Sequence, residues 1–431
     1  MQIESKKEIS IIGLIVWIVC ALFFMYEFLL RIVVGTFQTT IIHDLNLTTI
    51  SFAVISSAAY QVAYGGMQIP VGFITDYFGL KKSLFMAAVL CALATLGFGF
   101  AQNFHMALGM RVLMGVGSSF GFICMLIAVY EWMPQKNRAL FIGLSAFIGT
   151  IGPMLAGGPL QNLAQHSSIS WRTVFLVLGV AGIAIAVFVL IFAHNNREKS
   201  QAGGFTILSK TEPIKTGIIK LFSRKEPILI GLISASIYFS IEYFSENQTP
   251  QYLSLYGYSA SFASYMISLA WFGYAIGCVA FGSLSDYFAR RKAPLLIAST
   301  ICLLALLVII YLPIRKELLT VAFFMLGIGA SGNGIGFVMI AEYCESNYLA
   351  LALGLNNGTL MLVTAITAPV IGKILTSLSG SSNATHFTIA QYHTAFSMML
   401  VVVGMGLCIA LFGIKETFAK PQREVMILSR S

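Results

Sequence analysis

Two stretches 210 residues apart decide how the chain folds: "GFITDYFGLKK", Gly72–Lys82, and "GSLSDYFARRK", Gly282–Lys292. Each opens on glycine, sets an aspartate four residues on, repeats Asp-Tyr-Phe and ends in a basic cluster. Other matches keep nearly the same offset. Ser-Phe-Ala at Ser51 recurs at Ser261, Glu131 answers to Glu342, and Gly-Leu at Gly143 recurs at Gly354. The second half therefore reads as a diverged copy of the first in the same orientation. In a membrane, such a parallel repeat gives two bundles related by an axis along the membrane normal.

The flanking sequence says that a membrane is the solvent. The 431 residues are 58% hydrophobic and 10% charged, and the mean hydropathy is +0.85. A soluble domain carries about 25% charged residues. A helix needs ~20 apolar residues to cross ~30 Å of hydrocarbon. About twelve runs meet that length: 11–34, 51–73, 83–101, 106–132, 139–163, 171–193, 227–253, 261–284, 294–312, 318–341, 350–376 and 392–414. The reading is an all-α membrane protein with two six-helix bundles, 1–194 and 227–431. Between them a polar segment, 195–226, reads as a linker. The first run is too long for a signal peptide's apolar region and is read as a retained span.

The net charge of +9 is a matter of topology. Twenty of the 26 Lys and Arg residues fall on one side if both termini face the cytoplasm, among them Lys6, Lys7, Lys81, Lys82, Lys136, Arg138, Lys292 and those of the linker. Arg172, Arg315 and Lys316 fall on the other side. That asymmetry is the positive-inside pattern and gives no reason to invoke nucleic acid. The seven cysteines are scattered without a CxxC pair. They read as small core hydrophobes, with no metal site, disulfide framework or cofactor implied.

Gly72-x-x-x-Asp76-x-x-Gly79-x-Lys81-Lys82 resembles the signature loop of the major facilitator superfamily, and Gly282, Asp286, Arg290 and Arg291 stand in its second copy. Arg111-x-x-x-Gly115-x-Gly117 and the "WRTVF" at Trp171 resemble further motifs of that superfamily. The resemblance covers nearly the whole chain. It implies a central cavity and alternating access, with spans one, four, seven and ten around the cavity. No HxxxxD-like, HExxH or Ser-His-Asp arrangement is placed for catalysis, so no enzymatic activity is expected, and the expected state is a monomer. In the loop copies, Asp76 can accept from helix N-terminal amides and pair with a guanidinium. Arg138 is the candidate partner, and Glu131 lies nearby in sequence. Together these residues form an expected conformational latch. In the second copy Leu349 occupies the Arg138 position, so Asp286 is expected to lack that partner.

Buried charge marks the candidate site. Glu27 lies sixteen residues into the first span, about 24 Å deep at 1.5 Å per residue, and Arg31 shares its helix face. Glu242 reaches similar depth in span seven, and Arg111 enters span four from the opposite side. A charge at a helix centre costs about 2.5–3.5 kcal/mol, so it needs a partner or a wet cavity. Glu27 paired with Arg31, or with Arg111, would supply one. The other readings are Arg31 snorkelling to the headgroups and Arg111 capping backbone carbonyls. Glu27 and Glu242 are the proton-coupling candidates. The candidate substrate-binding residues are Tyr26, Arg31, Arg111, Tyr238, Trp271, Asn333, Asn356 and Asn357. Glu246 reads as an exposed edge charge whose loss is mild.

"MYEFLLR" at Met25 and "MQIPVGFITDYFG" at Met67 resemble the superfamily branch that holds phagosomal amino-acid transporters of intracellular bacteria and the lysosomal dipeptide transporter. That implies proton-coupled uptake of amino acids or short peptides, with nucleosides also known, across a bacterial inner membrane. Proton-driven efflux of drugs or siderophores is the rival. The "GTIGPMLAGGPL" at Gly149 matches the drug-antiporter Gly-Pro motif only in part, because three residues rather than two separate its pairs. Residues alone say only a polar or charged small solute.

Overall fold

The computed structural model describes residues 10–134, 137–167, 169–196, 219, 223–312, 315–343, 349–381 and 384–418. Most of the linker expected over 195–226 falls outside them, as do Lys136 and the side chain of Leu349. Every regular element among the described residues is helical.

Among the described residues, eleven helices are long and apolar enough to cross a membrane: Ile11–Thr36, Thr49–Gly99, Phe104–Trp132, Leu140–His166, Trp171–Phe192, Lys225–Glu246, Ala260–Tyr287, Lys292–Tyr311, Lys316–Tyr343, Leu351–Ser379 and Ile389–Gly413. The second has 51 residues, about 76 Å of helix and far more than one crossing needs. It breaks at Gly79, whose φ of 79° and ψ of 167° are open to glycine and strained for other residues. It therefore counts as spans two and three, which brings the spans among the described residues to the twelve that the sequence predicts.

Helix packing repeats the sequence duplication. Span one packs on five as seven packs on eleven, and two and three pack on four as eight and nine pack on ten. Between the halves, span two meets eleven, span five meets eight, and span one meets seven. We call the end bearing Asp76, Lys81, Lys82, Arg138 and Arg290–Lys292 the basic end.

Three local features depart from regular helix. Val54–Ala58 in span two is a π-helical turn, as is Ile409–Gly413 in span twelve. Span seven stops at Glu246, where Gln248 turns left-handed (φ 59°) before a short helix, Thr249–Ser254, with Pro250 in its first turn. A proline there needs no backbone donor, so span seven ends earlier than the apolar run through residue 253 predicts.

At the opposite end from the basic cluster the halves are sewn together. Ser56 Oγ donates to Asn247 Oδ1 (2.8 Å), the Gln248 amide to Gln38 Oε1 (2.7 Å), and Gln251 to Thr39 Oγ1 (3.0 Å). Thr49 bonds the Ala384 carbonyl (2.9 Å), and Ser268 receives from the Gly158 amide (2.8 Å). Gly35 lets span one lie on the backbone of span seven: a Cβ there would sit 2.6 Å from Glu246 Cα. Above this seam a cleft of about 510 Å³ opens between residues of both halves, including His43 and His386.

The loop copies at the basic end differ from one another. Arg291 bonds Asp286 (2.5 Å), Ser285 (2.9 Å) and Glu342 (2.9 Å). Glu342 also accepts from Thr417 (2.5 Å), and Glu416 accepts from the amides of Arg291 and Lys292. Asp286 is thus partnered from within its own loop, by Arg291 rather than by a residue at the position equivalent to Arg138. Arg290 is exposed and Gly282 has open space around it. In the first copy Arg138 donates to the Tyr130 carbonyl (2.8 Å) and lies over the Tyr130 ring. The Lys81 amide bonds Asn195 (2.9 Å), and Asn196 bonds the Glu131 carbonyl (3.1 Å). Gly72 is buried, Asp76 is half-buried and Lys82 is exposed.

Candidate functional site

The charged side chains foreseen in the helix centres do meet. Arg31 bonds Glu27 through Nη2 (3.1 Å) and Glu242 through Nη1 (3.3 Å), so one guanidinium joins the first half to the second. The i,i+4 spacing on span one aims both its side chains at one neighbour. Tyr60 donates to Glu27 (3.1 Å) and Tyr238 to Glu242 (2.5 Å). Gln61 of span two donates from one amide nitrogen to Glu242 (3.2 Å) and to Glu246 (3.1 Å). Aromatic faces surround the guanidinium, whose carbon lies 4.4 Å from the Phe28 ring centre and 4.7 Å from that of Tyr64. Each face adds cation–π attraction to the ion pairs.

All five charges are sealed: Glu27, Glu242, Glu246 and Arg111 are 0% exposed and Arg31 2%. The sequence suggests a water-lined path. In this conformation the same residues instead form a closed ionic cluster at the seam, because the bonds around Asn247 and Gln248 cover it. The cluster keeps unused capacity. Glu27 Oε1, Arg31 Nε and Glu246 Oε2 have no hydrogen-bond partner among the described residues. Buried polar atoms of that kind are costly unless something satisfies them.

Two of the expected site residues point elsewhere. Arg111 donates to the carbonyls of Ile55 (2.9 Å), Ser56 (2.6 Å), Leu30 (2.9 Å) and Arg31 (3.3 Å). The π-helical turn offers carbonyls that a regular helix would use itself. The expected alternative pairing of Glu27 with Arg111 is not made. Tyr26 turns towards span six, its hydroxyl on the Leu178 carbonyl (2.9 Å).

The remainder line the second half. Trp271 donates to Ser245 (2.9 Å) and packs edge-on to Phe28, with Tyr274 between Trp271 and Asn333, to which it donates (3.0 Å). Asn357 bonds Gln68 across the halves (2.9 Å), while both polar side-chain atoms of Asn356 are buried without a partner among the described residues. Glu246 is the clearest miss. It reads as an edge charge because Pro250 follows so closely, yet it is buried in the cluster. The signal was its four-residue spacing from Glu242, which sets both on one face.

The Major Facilitator Superfamily profile matches residues 16–331 and, in a second alignment, 249–426. The chain belongs to the Major Facilitator Superfamily. The overlapping matches fit the duplication within this superfamily member. Among relatives of this facilitator, a probable galactarate/D-glucarate transporter of Bacillus subtilis is 27% identical over 402 residues, covering 84% of this chain and 85% of the relative. A probable sulfoacetate transporter of Cupriavidus necator is 25% identical over 194 residues, 45% of this chain. That alignment spans only 44% of the relative's length. A solved bacterial homologue of the human lysosomal transporter Spinster, inward-facing and unoccupied, superposes with a TM-score of 0.68. It is 17% identical, over 93% of this chain and 96% of that one, and shows the shared fold.

Proposed function

We propose that the protein is a proton-coupled importer of a small polar organic acid, working by alternating access of two six-helix bundles, 1–194 and 227–431. The basic end, with both termini, faces the cytoplasm of a bacterial inner membrane, and the sewn end faces outward. The observation that carries this reading is the bridge from Glu27 through Arg31 to Glu242.

Both terminal nitrogens of Arg31 are held by carboxylates. A solute carboxylate takes the place of one of them only when that carboxylate accepts a proton, since a neutral carboxyl releases the guanidinium while the cluster's charge is preserved. Anion and proton then enter together, which avoids adding a net charge to a low-dielectric site. Glu27 and Glu242 are the proton carriers in this reading. Trp271, Tyr238, Asn333, Asn356 and Asn357 supply stacking and hydrogen bonds. Arg111 braces spans one, two and four and leaves Arg31 as the guanidinium for the solute.

The two sequence relatives are named for acidic substrates, which supports the solute class. A single guanidinium, Arg31, that is not taken up by backbone carbonyls, beside three glutamates, favours a solute with one acidic group. That same excess of carboxylates supports a second reading, the uptake of amino acids or short peptides. A zwitterion would set its carboxylate on Arg31 and its ammonium on a glutamate.

Uptake into proteoliposomes under an inward proton gradient tests both. Glucuronate, galactarate, alanine and dialanine are offered separately. Accumulation of glucuronate above galactarate supports the organic-acid reading, and accumulation of alanine or dialanine alone supports the zwitterion. Gradient-independent entry of all four, or drug extrusion only, removes the proposal.

A further inference from the structure

We propose that Glu246 is a proton-binding site that locks the seam: the outer end stays closed while Glu246 is neutral and parts when it loses its proton. The inference deepens the proton-coupled reading above and rests on it for its purpose, though its geometry stands separately.

Glu246 is the last residue of span seven, and the next residues make the seam. Asn247 takes the Ser56 hydroxyl. Gln248 is held left-handed between Gln38 of the first half and Tyr392 of the second (2.8 Å). A displacement of the Glu246 backbone therefore reaches the closing bonds within two residues. Gly35 packs directly against that same backbone.

The charges around Glu246 explain why a proton belongs there. On its own helix it faces Glu242, one turn below, with Tyr238 beyond. Span one brings Arg31 and Glu27, span two brings Tyr60, Ser57 and Gln61, and span four brings Arg111. The two cations are spoken for: Arg31 bridges Glu27 and Glu242, and Arg111 is surrounded by four carbonyls. Among the described residues no basic side chain lies within ion-pair distance of Glu246. It shares Gln61's single amide nitrogen with a second carboxylate, and its Oε2 has no donor. Two carboxylates so placed cannot both hold their charge cheaply, and a neutral Glu246 relieves the conflict. Opening the seam would let water reach Glu246 and let it ionise.

The sign follows from linkage. The closed seam binds the proton more tightly than the open one, so falling pH favours closure. One linked proton changes the closed-to-open ratio by about tenfold per pH unit between the two affinities. An external proton would then shut the outer end behind an entering solute.

The test needs no solute. Spin labels at His43→Cys and His386→Cys, exposed positions on opposite halves, report seam width in nanodiscs from pH 5 to pH 9. The chain's own cysteines are replaced in that background. The parent should show a short-distance population that grows as pH falls. Glu246→Gln should hold the short distance at every pH. A parent without pH response overturns the proposal, as does a Glu246→Gln variant that titrates like its parent. Should Glu246→Gln fail to fold, Glu246→Asp must shift the midpoint, and an unshifted midpoint is equally fatal. A titrating seam without gradient-driven uptake would sink the transport reading alone. Uptake with a seam indifferent to pH would sink the lock alone.

Discussion

Arg31→Lys keeps the charge of the central guanidinium and removes its geometry. Arg31 holds Glu27 through one terminal nitrogen and Glu242 through the other, at 3.1 and 3.3 Å. A lysine ammonium is a single nitrogen on a flexible stem and cannot occupy both positions. One charge-assisted bond is lost, worth about 1.5–3 kcal/mol, or about 10- to 150-fold in an equilibrium constant. The flat stacking on Phe28 and Tyr64 is lost with it. Because the bond to Glu242 joins the halves and a lysine can hold it only by giving up Glu27, the variant should lose solute affinity and ease of closure together. Initial uptake rates in proteoliposomes, fitted for KM, measure the first effect, and thermal unfolding in detergent measures the second. The expected outcome is a KM raised by about one to two orders of magnitude and a lower unfolding temperature. An unchanged KM would show that no solute carboxylate rests on Arg31, and the proposed exchange of acid groups would fail.

Other substitutions probe the scaffold. Gly79→Ala forces a side chain into a backbone region that costs about 1–3 kcal/mol, and its Cβ would lie 2.9 Å from Asn195 Nδ2. Its unfolding temperature should fall, and an unchanged value would deny the break between spans two and three. Arg111→Gln strips donors from buried carbonyls that each cost about 1–3 kcal/mol when left bare. It should sharply reduce folded protein on fluorescence-detected size exclusion, with Arg111→Lys little better; wild-type yield would mean that Arg111 is no brace. Glu342→Ala removes the acceptor of both Arg291 and Thr417, so tryptic cleavage at Lys415 should quicken several-fold, and equal cleavage rates would remove the tail clamp.

The sequence made the architecture legible because the repeat is written in spaced residues. Gly72, Asp76 and their copies at Gly282 and Asp286 locate equivalent loops, and hydropathy supplies the crossings between them. The charged layer was legible for the same reason, since depth along a helix follows from counting: Glu27 and Glu242, counted to similar depth, meet through Arg31, while Arg111, counted to the same layer, bonds backbone carbonyls instead. Partners were less legible. Of the readings open for Arg111, lining a ligand path, pairing with Glu27 or capping backbone carbonyls, the structure shows the last, and no residue pattern marked the π-helical turn at Val54–Ala58 that offers two of those carbonyls. Asp286 found Arg291 in its own loop, a contact set by local backbone rather than by the copied position of Arg138. Glu246 was hidden because burial at a helix end depends on what covers it, here the segment Asn247–Gln251 folding over the seam.

The most direct measurement compares two fluxes in Glu27→Gln, a substitution that keeps the shape and removes the titrating group. Solute exchange between loaded vesicles and medium requires the halves to alternate, whereas accumulation against a gradient also requires the proton. Exchange should persist in Glu27→Gln while gradient-driven accumulation disappears. Accumulation at the wild-type level would contradict the account, because the solute would then be driven without the carboxylate that is meant to exchange a proton for its place on Arg31.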